Sequence, residues 1–401
     1  MDLTLLLDLD DTLLENDVNR FLPAYLKALA NRLSAHASAD QLIPVLLAAT
    51  RRMVQNDRPD CTLEQVFDAD FFPRLGVLRE EIQPVLDQFY RQDFPALQEL
   101  TQVRPEAQAF VQGALSRGLR IGIATNPLFP KTAIQQRLAW AGLPDDQYPF
   151  ELVSSYETFH FSKPNPAFYA EFLARLGWPD GQILVIGDDP GNDIQPARLL
   201  GLPVFWMNGL KSTSWSAETP EPPHGSFKDL DRWIQTSDPD SLKPDFASSA
   251  SLMAILRATP AAISSLCRSL EAAQWQARPQ PEEWCPVEIV CHLLDVDAEV
   301  NLPRVRRVLQ EDNPFISGRD TDRWAEERAY ICQDGPRSLD NFLATRIELL
   351  ELLADMPQDA WDRPARHAIF GPTQLNELIS IIAAHDRLHV RQIYRALHFK
   401  V

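Results

Sequence analysis

Leu3-Thr4-Leu5-Leu6-Leu7-Asp8-Leu9-Asp10-Asp11-Thr12 is the stretch on which the fold turns. The apolar run Leu3–Leu7 has the length and branching of a strand buried on both faces, the kind found inside parallel sheets. Two carboxylates, Asp8 and Asp10, come next, at the carboxyl end of that strand, where open α/β sheets hold their ligands. Strand side chains alternate between faces, but beyond Leu9 the chain is free to turn both aspartates into one crevice. Two like charges buried together are costly unless a cation or a shared proton compensates them. The pentad Asp8–Thr12 therefore points to a metal, to chemistry, or to both.

Working outward, apolar residues recur at three- and four-residue steps from Leu14 to about Arg104, as at Phe21, Tyr25, Leu26, Leu29 and Leu33. This is the period of helices, punctuated here by Pro59, Pro73, Pro84 and Pro95. Strands are expected at Leu119–Ala124, Glu151–Ser155, Gln182–Ile186 and Pro203–Met207, with helices at Pro166–Leu176 and Ile194–Leu200. Strands that alternate with helices predict a Rossmann-like α/β fold with a parallel sheet and right-handed crossovers. The helical stretch 14–104 is then a cap inserted after the first strand. Residues 236–248 turn to Ser, Asp, Pro and Lys and read as a linker between a domain at 1–235 and another at 249–401. The second is expected to be all-α: helical patterns over 249–274, 286–311, 336–356 and 373–398 predict a four-helix bundle.

The chain has 401 residues, 45% of them hydrophobic, and a formal net charge of −18. Its length suits two or three domains, and its charge opposes a general nucleic-acid or anionic-membrane binder, which needs a basic face. The cysteines (Cys61, Cys267, Cys285, Cys291, Cys332) form no CxxC pair and read as reduced thiols. No uninterrupted apolar run long enough to span a bilayer is expected, and the start of the chain lacks the pattern of a secretory signal. A cytoplasmic location is expected.

Three further segments are expected at the same sheet edge as the pentad. Thr125-Asn126 ends the strand Leu119–Ala124, Lys163 stands in a turn-like stretch, and Gly187-Asp188-Asp189-Pro190-Gly191-Asn192-Asp193 comes after Gln182–Ile186. Carboxylates for a metal and a nucleophile, a hydroxyl and amide for phosphate oxygens, and an ammonium for charge suffice for phosphoryl transfer. In order and character the four segments resemble the motifs of the haloacid dehalogenase superfamily, over about residues 1–235, with 14–104 in the place of a C1-type cap. The resemblance implies a phosphatase acting on a small phosphorylated metabolite, with Asp8 as nucleophile and Asp10 as general acid/base. It implies further that Thr125 and Asn126 contact the phosphoryl group and that Lys163 orients and neutralises Asp8. Mg²⁺ is implied on Asp8, Asp188 and the backbone carbonyl of Asp10, supported by Asp193 or by its neighbour Asp189. Family dehalogenases lack an acid/base aspartate two residues after the nucleophile, so Asp10 favours ester hydrolysis. Thr12 leaves phosphatase and phosphomutase both open.

In the second half, His385 and His389 are spaced i, i+4 on one helix face with Leu378, Ile382 and Ile393, and His292 lies beside Ile289, Leu293 and Val296. Three imidazoles converging into a bundle are able to hold Zn²⁺ or Ni²⁺ with a position left open. The segments Trp284–Leu293 and His385–Ile393 resemble the DinB/YfiT-like four-helix bundles, which implies that His292, His385 and His389 are metal ligands. Some members of that family are metal- and thiol-dependent transferases or isomerases. The contrasting expectation is a structural or binding module, serving stability or a homodimer.

Overall fold

The computed structural model describes residues 2–207 and 220–399. The chain divides into two compact units. The first holds Met1–Asp57, Cys61–Tyr169 and Pro179–Asp245, and the second holds Phe246–Val401 with the short segments Arg58–Asp60 and Ala170–Trp178.

The first unit opens with β1 (Leu3–Leu7) and β2 (Leu14–Glu15), then the helices α1 (Val18–Arg32), α2 (Ala39–Val54), α3 (Leu63–Leu75) and α4 (Arg79–Gln88). Asp17 caps α1 through the backbone N–H of Asn19, and Thr62 with Gln65 forms a reciprocal capping box on α3. Phe21, Tyr25 and Leu29 form the buried stripe of α1. The chain returns through β3 (Gln102–Val103), which pairs antiparallel with β2 at the neck of the cap. That two-residue ribbon departs from an all-helical insertion, whereas Phe89–Leu100 stays helical, as a π turn followed by 3-10 turns. Two residues are too few to display a two-residue period in sequence.

Next along the chain are α5 (Pro105–Ser116), β4 (Arg120–Ile123), α6 (Lys131–Trp140), α7 (Pro166–Arg175), β5 (Gln182–Gly187), α8 (Gln195–Leu200), β6 (Val204–Met207), β7 (His224–Gly225) and α9 (Phe227–Thr236). The sheet is five-stranded, in the order β4-β1-β5-β6-β7, and every pair in it is parallel. Its register sets Leu7 opposite Ile123 on one side and Ile186 on the other. The chain therefore leaves β1, β4 and β5 at one level, which brings Asp8, Thr125 and Asp188 to a common edge. The segment expected as a strand at Glu151–Ser155 makes only one bridge, Val153 to Ile123, and lies along the outer edge of β4. Residues 236–245, read from composition as linker, are ordered with the first unit, where Leu242 is fully buried in the core. A single well-packed leucine anchors a segment that is otherwise polar.

The second unit contains α10 (Ser249–Cys267), α11 (Ala272–Trp275), α12 (Pro286–Val296), α13 (Leu302–Gln310), β8 (Phe315–Ile316), α14 (Trp324–Glu327), α15 (Gly335–Ala354), β9 (Pro364–His367), β10 (Gly371–Gln374) and α16 (Leu375–His398). Helices α10, α12, α15 and α16 pack as a four-helix bundle, α10 and α12 each touching both α15 and α16. A π-type turn, Asp297–Asn301, joins α12 to α13 without a break. The bundle also carries a small sheet, β10-β9-β8, which the sequence reading lacks. Its strands include Pro364, Arg366, Pro372 and Gln374, and so lack the β-branched alternation that signals a strand. The expectation of no uninterrupted apolar run long enough to span a bilayer is qualified by α10, in which Arg257 interrupts an otherwise largely apolar stretch. Ser249–Cys267 is long and apolar enough by composition to cross a membrane. Most of this helix is buried, as befits the core helix of a bundle.

Candidate active site and metal centre

The aligned strand ends gather the first constellation. Asp11 adopts the left-handed conformation (φ 55°), its N–H donates to the Leu14 carbonyl at 2.7 Å, and its carboxylate accepts from the Asn16 N–H at 3.0 Å. An aspartate tolerates this conformation because its short side chain bonds locally. The tight turn holds the pentad against the sheet edge.

Ligand oxygens of Asp8, Asp188 and Asp193 lie within 4.8 Å of one another. Lys163 Nζ donates to Asp8 Oδ1 at 2.7 Å and to Asp193 Oδ1 at 2.6 Å, and its side chain is 1% exposed. Gly187 makes the approach of Asp193 feasible, since a Cβ there would stand 2.3 Å from the Asp193 carboxyl carbon. The two aspartates that the sequence leaves open, Asp189 and Asp193, are placed differently. Asp189 Oδ1 accepts the backbone N–H groups of Gly191 and Asn192, which caps the turn, while Asp193 enters the cluster.

Burial pushes the Asp8 carboxyl well above the usual range; Lys163 opposes this, and Asp193 and Asp188 reinforce it. Burial alone would lower the Lys163 ammonium, but Asp193 and Asp8 outweigh it and hold it up. Three carboxylates against one ammonium leave an excess of negative charge in a water-poor site. All the donors are oxygens, so the residues present fit a hard divalent cation such as Mg²⁺.

Asp10 lies apart from that cluster. Its carboxylate accepts from Asn16 Nδ2 at 2.8 Å and forms an ion pair with Arg137. Arg137 is buried on α6 beside Ile134 and Leu138 and packs over the Phe129 ring at 4.7 Å. Sequence reasoning missed this residue; the available signal was a guanidinium on the apolar face of a helix. Thr125 is buried, and its carbonyl accepts the Ser154 hydroxyl at 2.6 Å. Asn126 Oδ1 and Thr12 Oγ1 are buried polar atoms without a partner among the described residues. Beyond Asn126 the chain passes Leu128, Phe129 and Pro130, which line a cavity of about 480 Å³ together with cap residues that include Tyr25, Phe67 and Tyr90.

The second constellation is confined to the second unit. His385 Nε2 is 3.1 Å from His292 Nε2 and 3.0 Å from His389 Nε2. Burial pushes the three imidazoles down to about 3 (His292), about 2 (His385) and about 4 (His389). All are thus neutral, lone-pair donors near pH 7. Gln392 Oε1 accepts from His389 Nδ1 at 2.7 Å, which leaves the Nε2 lone pair for a metal. Bonds of about 2.0–2.1 Å from Zn²⁺ to nitrogen put neighbouring ligands roughly 3.3–3.4 Å apart, close to the spacing found. The donor set therefore fits a transition metal. The Trp284 ring stacks on His389 at 5.9 Å and covers His292 at 4.9 Å, a role that sequence reasoning did not assign.

Known proteins share both halves of this architecture. The haloacid dehalogenase-like hydrolase family matches residues 3–201, and the DinB superfamily matches residues 255–393. Phosphoglycolate phosphatase of Rhodospirillum rubrum is 30% identical over 210 residues, which are 52% of this chain and 80% of that protein. The chain belongs to the haloacid dehalogenase-like hydrolases. Phosphoserine phosphatase of Thermus thermophilus is 32% identical over 108 residues, 27% of this chain, and the match spans only 41% of that relative. The second domain of this hydrolase is a DinB superfamily domain. YfiT of Bacillus subtilis, a protein with an unusual four-helix bundle topology, shares 19% identity with a TM-score of 0.35, covering 38% of this chain and 90% of that one.

Proposed function

We propose that the first unit of this hydrolase is a Mg²⁺-dependent phosphatase that cleaves a small phosphomonoester through an aspartyl-phosphate on Asp8. The observation that carries the reading is the Lys163 bridge between Asp8 and Asp193 inside a three-carboxylate cluster at the aligned strand ends. Lys163 fixes one Asp8 oxygen, leaving the other to attack phosphorus. Asp10, held by Asn16 and Arg137, gives a proton to the departing alkoxide as the P–O bond breaks. The same carboxylate then takes a proton from water, which attacks phosphorus and releases inorganic phosphate and free Asp8. Asp8, Asp188 and Asp193 would hold Mg²⁺, which would supply positive charge to offset repulsion between carboxylate and phosphate. Thr125 and Asn126 serve as phosphoryl contacts.

The cap cavity suits the leaving group. Its wall is mostly aliphatic and aromatic, with Glu64, Asp87 and Glu157 against Arg91, so it favours an apolar body over the carboxylate of phosphoglycolate. The decisive experiment compares wild type with Asp8→Asn on p-nitrophenyl phosphate with and without Mg²⁺. Wild type is expected to turn over only with the metal and the variant not at all; a variant that retains activity overturns the assignment.

We also infer that His292, His385 and His389 hold Zn²⁺ or Ni²⁺. Metal analysis of the full chain tests it: bound metal is expected in wild type and lost in His385→Ala/His389→Ala, and undiminished binding in the variant refutes the triad. The five cysteines are thiols rather than disulfide halves, which supports a cytoplasmic setting.

A further inference from the structure

Beside the histidines, α12, α13, α16 and the loop after β8 enclose a cavity of about 230 Å³. His385 lines it, so whatever enters would meet one edge of the histidine cluster. Its chemistry contrasts with the rest of the molecule. The chain carries 56 acidic against 38 basic side chains, yet among the described residues no carboxylate lines this cavity, while Arg304 and Arg319 both do.

Arg304 is the unusual member. The other arginines nearby are neutralised: Arg306 by Glu348, Arg307 by Glu311, and Arg319 by Glu299 at 2.7 Å. Arg304 is half-buried, donates to the Ser317 carbonyl at 2.8 Å, and has no ion-pair partner among the described residues. Burial, together with the nearby Arg319, pushes its guanidinium below the ordinary value. A half-buried cation without a counter-ion is unfavourable, and an anion would relieve it.

His367 adds a donor. It is 6% exposed, and its Nδ1 accepts the backbone N–H groups of Ile369 at 3.3 Å and Phe370 at 3.4 Å. Backbone N–H groups only donate, so Nδ1 is the acceptor and Nε2 carries the hydrogen. Apart from Asn301 and Thr321 the remaining wall is mainly apolar, with Val300, Leu378 and Ile382 inside and the exposed Ile369, Phe370 and Ile381 at the same cavity. Such a space is smaller than an ordinary drug-sized pocket of about 300–1,000 Å³ and has room for a short chain with one charged end.

We propose that this cavity binds a small amphipathic anion, its carboxylate or phosphate held by Arg304 and His367 and its apolar chain lying on the Val300–Leu378–Ile382 wall beside His385. The inference deepens the reading of the histidine site but does not require a metal there, and its test is arranged accordingly.

Calorimetric titration of the 401-residue chain, stripped of metal, with octanoate, octylphosphonate, octanol and octylamine decides it. The phosphonate cannot be hydrolysed by the first unit. At least one of the two anions is expected to bind tenfold or more tightly than octanol and octylamine, and the stronger anion identifies the charged group. Arg304→Gln should weaken that anion tenfold or more and leave octanol unchanged, while Arg304→Lys should retain part of the preference. Equal binding of anion and alcohol, tighter binding of the amine, or an Arg304→Gln variant as tight as wild type each overturns the proposal. Should Arg304→Gln fail to fold, the four-ligand comparison in wild type is sufficient. Metal content, measured separately, reports on the histidine reading, so either can fail without the other.

Discussion

Lys163 stands between two carboxylates with almost no water around it, and that placement makes it a structural as well as a chemical residue. Among the described residues, its ammonium is the cation hydrogen-bonded within a cluster of three acids. Replacing it with methionine keeps the volume and leaves Asp8 and Asp193 facing each other uncompensated. Breaking a buried pair in this way costs about 3–5 kcal/mol. Lys163→Met should therefore lower the urea midpoint of the full chain, with added Mg²⁺ recovering part of the loss; an unchanged midpoint would show that the cluster relaxes or protonates freely. Arg137 acts through another group, since it touches the Asp10 carboxylate. Its replacement by methionine should reduce kcat tenfold or more with little change in KM, and lysine should restore part of the rate. A loss confined to KM would place Arg137 in substrate binding instead. At this scale the sequence was informative wherever spacing carried the signal. Asp8, Asp10 and Asp188 were legible because strands precede them, and His385 and His389 because of their i, i+4 step. Arg137 was not, because its place on the apolar face of α6 does not by itself name a partner, and that partner lies 127 positions away. The choice between Asp189 and Asp193 needed the backbone, since only a turn reveals which carboxylate is spent on capping.

Among the elements, α16 carries the most. One face presents His385, His389 and Gln392, and Asp386, the next position along from His385, enters a fully buried ion network with Arg346 and Asp297. All the polar hydrogens of Arg346 are engaged, by Asp297, Asp386 and the Leu256 carbonyl, so a single side chain of α15 ties α10, the turn after α12, and α16 together. Arg346→Met leaves two carboxylates buried without a cation, and a loss of about 3–5 kcal/mol is expected by denaturant titration. A variant as stable as wild type would mean that one of the acids is already protonated.

The histidines make the same helix sensitive to acid. Their folded values, about 3, 2 and 4, lie below the ordinary 6.5, so the unfolded chain takes up protons below pH 6.5 while the folded chain does not. Their contribution is complete above 6.5 and is lost as pH falls through that value toward the folded ones. By pH 5 the loss is roughly 2 kcal/mol per imidazole. Melting of the metal-free protein should consequently drop between pH 7 and pH 5, and His385→Ala/His389→Ala should flatten the drop; parallel curves would exclude the imidazoles as its source. Long amphipathic helices such as α16 were legible in sequence from their period, whereas β2, β3, β8, β9 and β10 were not. Strands of two to four residues take their identity from their partners rather than from their own composition.

At the scale of the molecule, two donor sets of opposite character occupy two units. Asp8, Asp188 and Asp193 all belong to the first, and His292, His385 and His389 all belong to the second, so each site is complete within one unit. The boundary was legible only roughly, because the polar stretch 236–248 hides Leu242, which belongs to the first core. Oxygen donors suit Mg²⁺ and bind transition metals less selectively, while neutral imidazoles hold Zn²⁺ or Ni²⁺ and disregard Mg²⁺. The two sites should therefore be separable by chelator as well as by mutation. Treatment with 1,10-phenanthroline is expected to remove the transition metal and leave Mg²⁺-dependent hydrolysis of p-nitrophenyl phosphate within about twofold of its starting rate, a change of about 0.4 kcal/mol or less in the barrier. His385→Ala/His389→Ala should reproduce that result, and Asp8→Asn should show the converse, no hydrolysis with a full complement of transition metal. If stripping the histidine site instead abolishes hydrolysis, the two units share a reaction, and the independence that their separate donor sets imply is wrong.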